Sequence, residues 1–339
     1  MLSKDEVLKQ SENAFSQWRE IWEANAKRNG DLYKKLGTGH KDLLFKGLGK
    51  NLLCIAFAPS FEKNIQVIKD NINENTDIAC VDKCMGDLLK NGIKPKYVFL
   101  ADAGIDYDKW LEPYVDQTED ITLLANVTSN PDWTYNWKGN VVFYVNKDNI
   151  ETEKIYSKLS GCMEMIPASS NVGNTVVVFS AQILGYDEYY LLGYDYCWGS
   201  DDNYYAFNDS DKRYWMKHAD VIDMAGRMVN TSSNLLFSSR WLSDFNKSIA
   251  QQYNNIKIYN CSDCGILEMQ RANLKKKLQD STKRKLNDFD RKVVFEKLKE
   301  TVVLTPQDGA QALQKALDTL NVAQVSITHM PTEVMGWFN

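Results

Sequence analysis

Glycine and proline are sparse, 18 and 7 in 339 residues, which removes collagen-like, linker-rich and largely disordered architectures. No apolar run approaches the roughly 18 residues of a membrane-spanning helix, so no span is expected. The opening MLSKDEVLKQ lacks an apolar core, so no secretory leader is expected and a cytoplasmic location is. Positive charge is in deficit: 40 Lys and Arg against 45 Asp and Glu leave a net charge of −5. That balance argues against a nucleic-acid surface, but leaves room for a pocket holding one phosphate. There is no GxGxxG, no GxxxxGK[ST] and no loop with clustered Asp-x-Asp, so metal-free group transfer is better supported than metal-dependent phosphoryl transfer. No metal ligand is assigned. Histidine is limited to His40, His218 and His329.

Seven cysteines are scattered, and Cys54, Cys80 and Cys162 sit in apolar runs, as in a reduced intracellular protein. Cys261-Ser-Asp-Cys264 lacks the two further ligands a zinc site needs, and a strand-end turn is the simpler reading.

What is present is an ordinary globular composition, 44% apolar and 25% charged. Residues 4–47 read as two amphipathic helices parted at Asn29-Gly30, with Phe15, Trp18, Ile21 and Trp22 forming a stripe for burial. Residues 51–58 are a continuous apolar run, as in a strand buried on both faces. A helix over 61–73 follows, then strand 77–82, helix 84–91 and strand 96–102. Further strands are expected at 121–125, 140–145, 162–166 and 188–193, with a helix over 172–184 closed by Gly185. A hairpin near 220–231, a helix and a strand at 256–259 complete the core. From 271 the chain is basic and helical. Alternating strands and helices imply an α/β, Rossmann-like, doubly wound, mostly parallel sheet with helical extensions at both ends. Boundaries are expected at 1–48, 49–270 and 271–339.

In such a sheet ligands bind beyond the carboxyl ends of the strands. That rule selects Ala58–Asn64, Asp82–Cys84, Asp102–Gly104 and the turn Ser169-Ser170-Asn171 before the helix that continues Gly173-Asn174. The turn suits a phosphate, because a helix start presents unpaired N–H groups; it also suits an ordinary Ser/Asn cap. Asp102 and Asp195 end strands, where a carboxylate orients a ribose hydroxyl or holds a loop. His218 follows a loop rich in tyrosine (Tyr190, Tyr194, Tyr196, Tyr204, Tyr205), and its ordinary pKa of about 6.5 makes it either a proton acceptor or a structural residue.

The runs NLLCIAFAPSFEKN and CVDKCMGDLLKNGIKPKYVFLAD resemble the opening of the MptE-like and motility-associated-factor group. SSNVGNTVVVFSAQILGYDEYYLLGYDY resembles that group's second motif and the family 42 sialyltransferases, whose acceptor region NYYAFND and YWMKHADVID also resemble. The likeness covers roughly residues 50–265. It implies a nucleotide loop at Ala58-Pro59-Ser60, with Ala58 in place of glycine and Ala56 and Phe57 in place of small residues. It implies nucleotide contacts from Pro59, Ser60, Asp82, Asp102, Asn126, Ser170, Asn171, Gly173, Asn174, Asp195 and Tyr196. Tyr190 falls on a tyrosine that assists the leaving phosphate, and Cys197 on a second one. His218 falls on the catalytic base, with Asp223 at the matching offset, and Lys96 stands where the group has Asp.

The function implied is transfer from a nucleotide-activated, CMP-linked nonulosonic acid without metal, to a glycan, protein or pterin acceptor. The alternatives are a 6-hydroxymethyl-7,8-dihydropterin pyrophosphokinase using ATP and magnesium, and a non-catalytic binding protein of the same fold. No covalent cofactor is expected; a homo-oligomer is compatible with the sequence.

Overall fold

The computed structural model describes residues 4–36, 40–147, 164–167, 170–199, 203–207, 219–252 and 256–281. The strands form where apolar runs are shielded on both sides. They are β1 (Asn51–Ile55), β2 (Thr76–Val81), β3 (Tyr97–Leu100), β4 (Thr122–Asn126), β5 (Val141–Lys147), β6 (Glu164–Pro167), β7 (Glu188–Leu192) and β10 (Lys257–Asn260). All join one parallel sheet in the order β10-β7-β1-β2-β3-β4-β5-β6. Every residue of β1 and β7 is buried, as a parallel sheet covered on both faces requires. β8 (Ala219–Ile222) and β9 (Met228–Thr231) make a separate antiparallel hairpin.

The helices are α1 (Lys4–Leu36), α2 (Pro59–Asn71), α3 (Asp82–Lys90), α4 (Tyr107–Trp110), α5 (Pro131–Asn136), α6 (Val172–Phe179), α7 (Ser233–Gln252) and α8 (Leu274–Ser281). Helix α6 carries three consecutive valines, poor helix formers, yet Gly173–Phe179 are all buried. Packing on the sheet overrides propensity there. A π turn, Ser180–Leu184, extends α6 and Gly185 closes it in the left-handed region at φ 66°. Among the described residues no helix is long and apolar enough to cross a membrane.

The amino-terminal segment differs from the two helices expected. Asn29 does not end a helix; it lies inside a single one, fully buried. Its amide donates to Val127 O (2.8 Å) and Ser129 O (2.9 Å) and accepts from Thr134 Oγ1 (2.7 Å). One turn earlier, Asn25 donates to Ala103 O and Thr128 O. These bonds lay α1 across the loops that follow β3 and β4, and long-range partners outweigh the local stop signal. The aromatic stripe is less buried than expected, with Trp18 at 38% and Ile21 at 45% exposure. Asn29→Ala strips two buried carbonyls of their donor and is expected to cost about 1–3 kcal/mol. Urea unfolding checks this; an unchanged midpoint would mean that α1 is not anchored through Asn29.

The chain passes from β1 outward to β6, then returns to place β7 on the other flank of β1. The reversal makes a switch point between β1 and β7, where a doubly wound sheet opens a crevice at its carboxyl edge.

Candidate functional site

Four segments meet at that edge. The loop after β1 runs from Ala56 to Ser60 and the loop after β7 from Gly193 to Cys197. The start of α6 and the turn after β10 complete the set. Gly193 permits the closest approach: at φ 77° its Cα lies where a Cβ would stand 1.9 Å from Ala56 O. At Gly173 a Cβ would meet Ala56 Cβ at 3.6 Å and Tyr194 Cε1 at 3.4 Å. The start of α6 and the β1 loop thus share one edge.

Asp195 ties these segments together. Its carboxylate accepts from Ser60 N (2.9 Å), Ser60 Oγ (2.5 Å) and Cys264 Sγ (3.5 Å). Ser60 Oγ in turn accepts from Gly193 N and lies 3.1 Å from Ser262 Oγ. Burial raises the Asp195 carboxyl, and the Ser60 bonds oppose that rise. The cap position of α2, Ala58, has no side-chain acceptor, so the Asp195 carboxylate faces the positive end of this helix instead. Pro59 and Ser60 are buried in this arrangement. Ala58 adopts φ −114°, an extended conformation open to any residue, so the exchange of glycine for alanine carries no strain. Phe57 packs under Trp110, Tyr205 and Phe207, with ring centroids 5.6, 5.5 and 6.5 Å away, as the base of an aromatic wall.

The opposite wall belongs to α6. Asn171 caps the helix, accepting from Asn174 N at 2.8 Å. Asn174 donates to Ser170 Oγ and Ser238 O and accepts from Tyr196 Oη. Ser170, exposed and at φ 68°, donates to Ser238 Oγ at 2.9 Å. Tyr194 Oη donates to Gly173 O at 2.9 Å. Five of the expected residues, Ser170, Asn171, Gly173, Asn174 and Tyr196, are therefore brought together. Ser238 and Ser262 join the edge without any local signal in the sequence, whereas Tyr194 belongs to the tyrosine-rich loop and Cys264 to the turn expected at a strand end. Their partners are supplied by distant segments.

Farther along the edge stand the ends of β2, β3 and β4. Asn126 Oδ1 accepts from Thr128 N and Oγ1, a local turn. Asp102 Oδ1 accepts from Gly104 N at 2.9 Å, and a Cβ on Gly104 would meet the Trp18 ring at 3.3 Å. Asp82 opens α3; its carboxylate is buried and accepts from Lys83 N at 2.7 Å.

Tyr190 is not at this edge. Its hydroxyl donates to Glu188 Oε2 (2.9 Å), two residues back toward the amino end of β7, and Lys277 Nζ reaches the same oxygen at 3.3 Å. The Tyr190 hydroxyl, expected to assist a leaving phosphate, is instead held by Glu188 beside Lys277 of α8. Asp223 is likewise committed. It accepts from Ala225 N, Arg227 N and the Arg227 guanidinium in the β8–β9 turn. Burial would raise its carboxyl, but Arg227 outweighs burial and holds it below the usual range. His218 and Ser169 lie outside the described residues.

The remaining departures from the group's pattern have structural partners. Lys96 pairs with Asp77 at 2.6 Å, beside Lys50 and the Tyr186 hydroxyl, at the amino end of the sheet. Burial would raise Asp77; Lys96, Tyr186 and Lys50 together hold it low. Cys197 is buried, and burial raises its thiol far above the ordinary value. Cys264 is pushed up to about 12, by burial first and by Asp195 second, so it stays a thiol. Among the described residues no three His, Cys, Asp or Glu side chains converge as metal ligands.

A family model described as 6-hydroxymethylpterin diphosphokinase MptE-like matches residues 29–201, just over half of the chain. The solved structure of a Maf glycosyltransferase from Magnetospirillum magneticum AMB-1 aligns with 90% of this chain at a TM-score of 0.55 and 18% identity. The alignment takes in 51% of that protein, so the chain spans about half its length, and the likeness is one of fold. No curated protein sequence matches.

Proposed function

The chain belongs to the 6-hydroxymethylpterin diphosphokinase MptE-like family, and from that premise we propose that it is a nucleotide-dependent transferase of glycosyltransferase type. The nucleotide sits at the β1–β7 switch point, its phosphate toward the start of α6, and a CMP-linked sugar acid is the favoured donor. The observation that carries this reading is the close approach of α6 to the end of β1 through Gly173. It aims a helix start, flanked by Ser170, Asn171, Asn174 and Tyr196, at the crevice. The fold shared with a Maf glycosyltransferase supports the glycosyl type. The family description favours a second reading, diphosphoryl transfer from ATP to a hydroxymethylpterin. Its magnesium would arrive with the ATP, since the described residues offer no ligand cluster of their own. The relaxed backbone at Ala58 removes one reason for a non-catalytic reading.

A thermal-shift panel of CMP, CDP, UDP, GDP, AMP and ATP, each with magnesium or EDTA, plus a hydroxymethylpterin, tests the proposal. A ligand at about 100 times its Kd stabilises the fold by about 2.7 kcal/mol. CMP or CDP is expected to raise the melting temperature equally with magnesium and with EDTA. A response confined to ATP with magnesium and the pterin would replace the glycosyl reading by the diphosphokinase one. No response to any nucleotide would overturn both.

A further inference from the structure

Two carboxylates are buried at the carboxyl edge, and they are not equivalent. Asp195 is saturated by Ser60 and Cys264. Asp82, 4% exposed, accepts one hydrogen bond among the described residues, from Lys83 N to Oδ1. Its second oxygen has no donor among those residues. Among the described residues the fully enclosed side-chain atoms without a partner are Tyr97 Oη, Trp133 Nε1, Ser180 Oγ and Asn230 Oδ1, and Asp82 Oδ2 is not one of them. Asp82 Oδ2 is therefore not fully enclosed, and it stands at the carboxyl end of β2, the strand next to β1. The nearest cation does not neutralise it by contact: Lys83 Nζ lies over the rings of Tyr205 (4.2 Å) and Trp110 (5.4 Å).

Resting on the transferase reading above, we propose that Asp82 is a catalytic residue that accepts the proton of the acceptor hydroxyl. The acceptor oxygen bonds to the anomeric carbon of a nucleotide-activated sugar. The bond from that carbon to the phosphate oxygen breaks, its electron pair leaves on the nucleotide, and the acceptor's proton moves to Asp82 Oδ2. Water takes the proton after release. The environment suits a base at neutral pH. Burial first, and the charge of Asp102 at the end of β3 second, push the Asp82 carboxyl up to about 7, opposed by Lys83 and its backbone N–H. The other titratable neighbours, Cys80 and Cys84, are buried thiols raised well above their ordinary value and remain neutral. A carboxylate matched to the working pH is an efficient proton acceptor.

The test follows release of CMP from a CMP-linked sugar acid, across pH 5 to 9, in wild type, Asp82→Asn, Lys83→Gln, Asp102→Asn and His218→Gln. Asp82→Asn is expected to lower kcat by about 10²–10⁴-fold. The wild-type rate should rise with pH through a limb near 7. Lys83→Gln should move that limb to higher pH and Asp102→Asn to lower pH, whatever they do to the maximal rate. A merely structural role would produce no such opposite displacements. Turnover of Asp82→Asn within threefold of wild type, limbs that stay in place, or a limb that survives Asp82→Asn and disappears in His218→Gln would each overturn the assignment while leaving the transferase reading intact. Should Asp82→Asn fail to fold, the movement of the limb in the other two variants decides. A protein that no nucleotide stabilises would lose both.

Discussion

Gly193→Ala is expected to cost about 2–5 kcal/mol of stability and to loosen nucleotide binding with it. The methyl group would arrive 1.9 Å from Ala56 O, a backbone atom between β1 and β7, where the sheet cannot give way without parting the two strands. Ala56 N is bonded to Leu192 O at 2.9 Å, so the clash falls on a paired position. The φ of 77° adds the left-handed penalty of about 1–2 kcal/mol for a residue with a Cβ, and overpacking adds about 1–3. Total stabilities of about 5–15 kcal/mol leave little margin for such a loss. Gly92 is the control: its φ is 72°, but nothing lies within 4 Å of a Cβ there, so Gly92→Ala should show the conformational part alone. Urea unfolding of the two variants reads the difference. Equal midpoints would mean that the β1 and β7 loops separate at little cost, and the switch-point crevice would lose its rigid floor.

The second large effect concerns Asp82 and pH. Asp82→Asn is expected to stabilise the protein by about 2–4 kcal/mol at pH 8 and to change it little at pH 4. The folded-state pKa of about 7 stands above the ordinary carboxylate value, so the folded protein keeps a proton that the unfolded chain releases. The stability contributed by that proton is complete below the unfolded pKa of about 4, and it is lost as pH rises through 7. Each tenfold difference in proton affinity between the folded and unfolded chain is worth about 1.4 kcal/mol. Asparagine never ionises and still offers an acceptor to Lys83 N, so it escapes the loss. Denaturant unfolding at pH 4, 6 and 8 checks the trend. A difference between wild type and variant that does not grow with pH would show that the Asp82 carboxyl titrates normally. A residue that weakens its own fold at working pH is consistent with retention for chemistry, the role proposed above.

The residues that misled and those that did not differ in the range of their partners. Asn29-Gly30 carries the composition of a helix stop, but the carbonyls that Asn29 meets lie about 100 positions away, in the loop after β4. Tyr190 sits in a strand whose place in the order was legible, while the direction of its ring depends on Glu188 and on Lys277 from α8. Asp223 lies at the offset from His218 that the group's pattern has, but the hairpin turn brings Arg227 onto it. Ala58 stands where the group has glycine, but the loop it occupies is extended and needs none. By contrast, the cap at Asn171 and the stop at Gly185 came out where the sequence places them, since each depends only on neighbours within a turn or two.

The sequence by itself determined the fold class and the order of alternating elements. Continuous apolar runs of strand length, interrupted by helical periodicity, leave a parallel sheet covered on both faces as the arrangement that buries them. It also determined at which edge the candidate loops gather, because a doubly wound topology brings the loops that follow its strands to their carboxyl ends. What only the tertiary structure decided is the state of each polar group at that edge. Asp82 and Asp195 read alike, as carboxylates closing apolar strands. Asp195 is matched by Ser60, 135 positions away, whereas Asp82 meets one neighbouring N–H and the charge of Asp102. Hydrogen-bond saturation and desolvation depend on which segments fold against a group, and those partners are set by packing rather than by spacing along the chain.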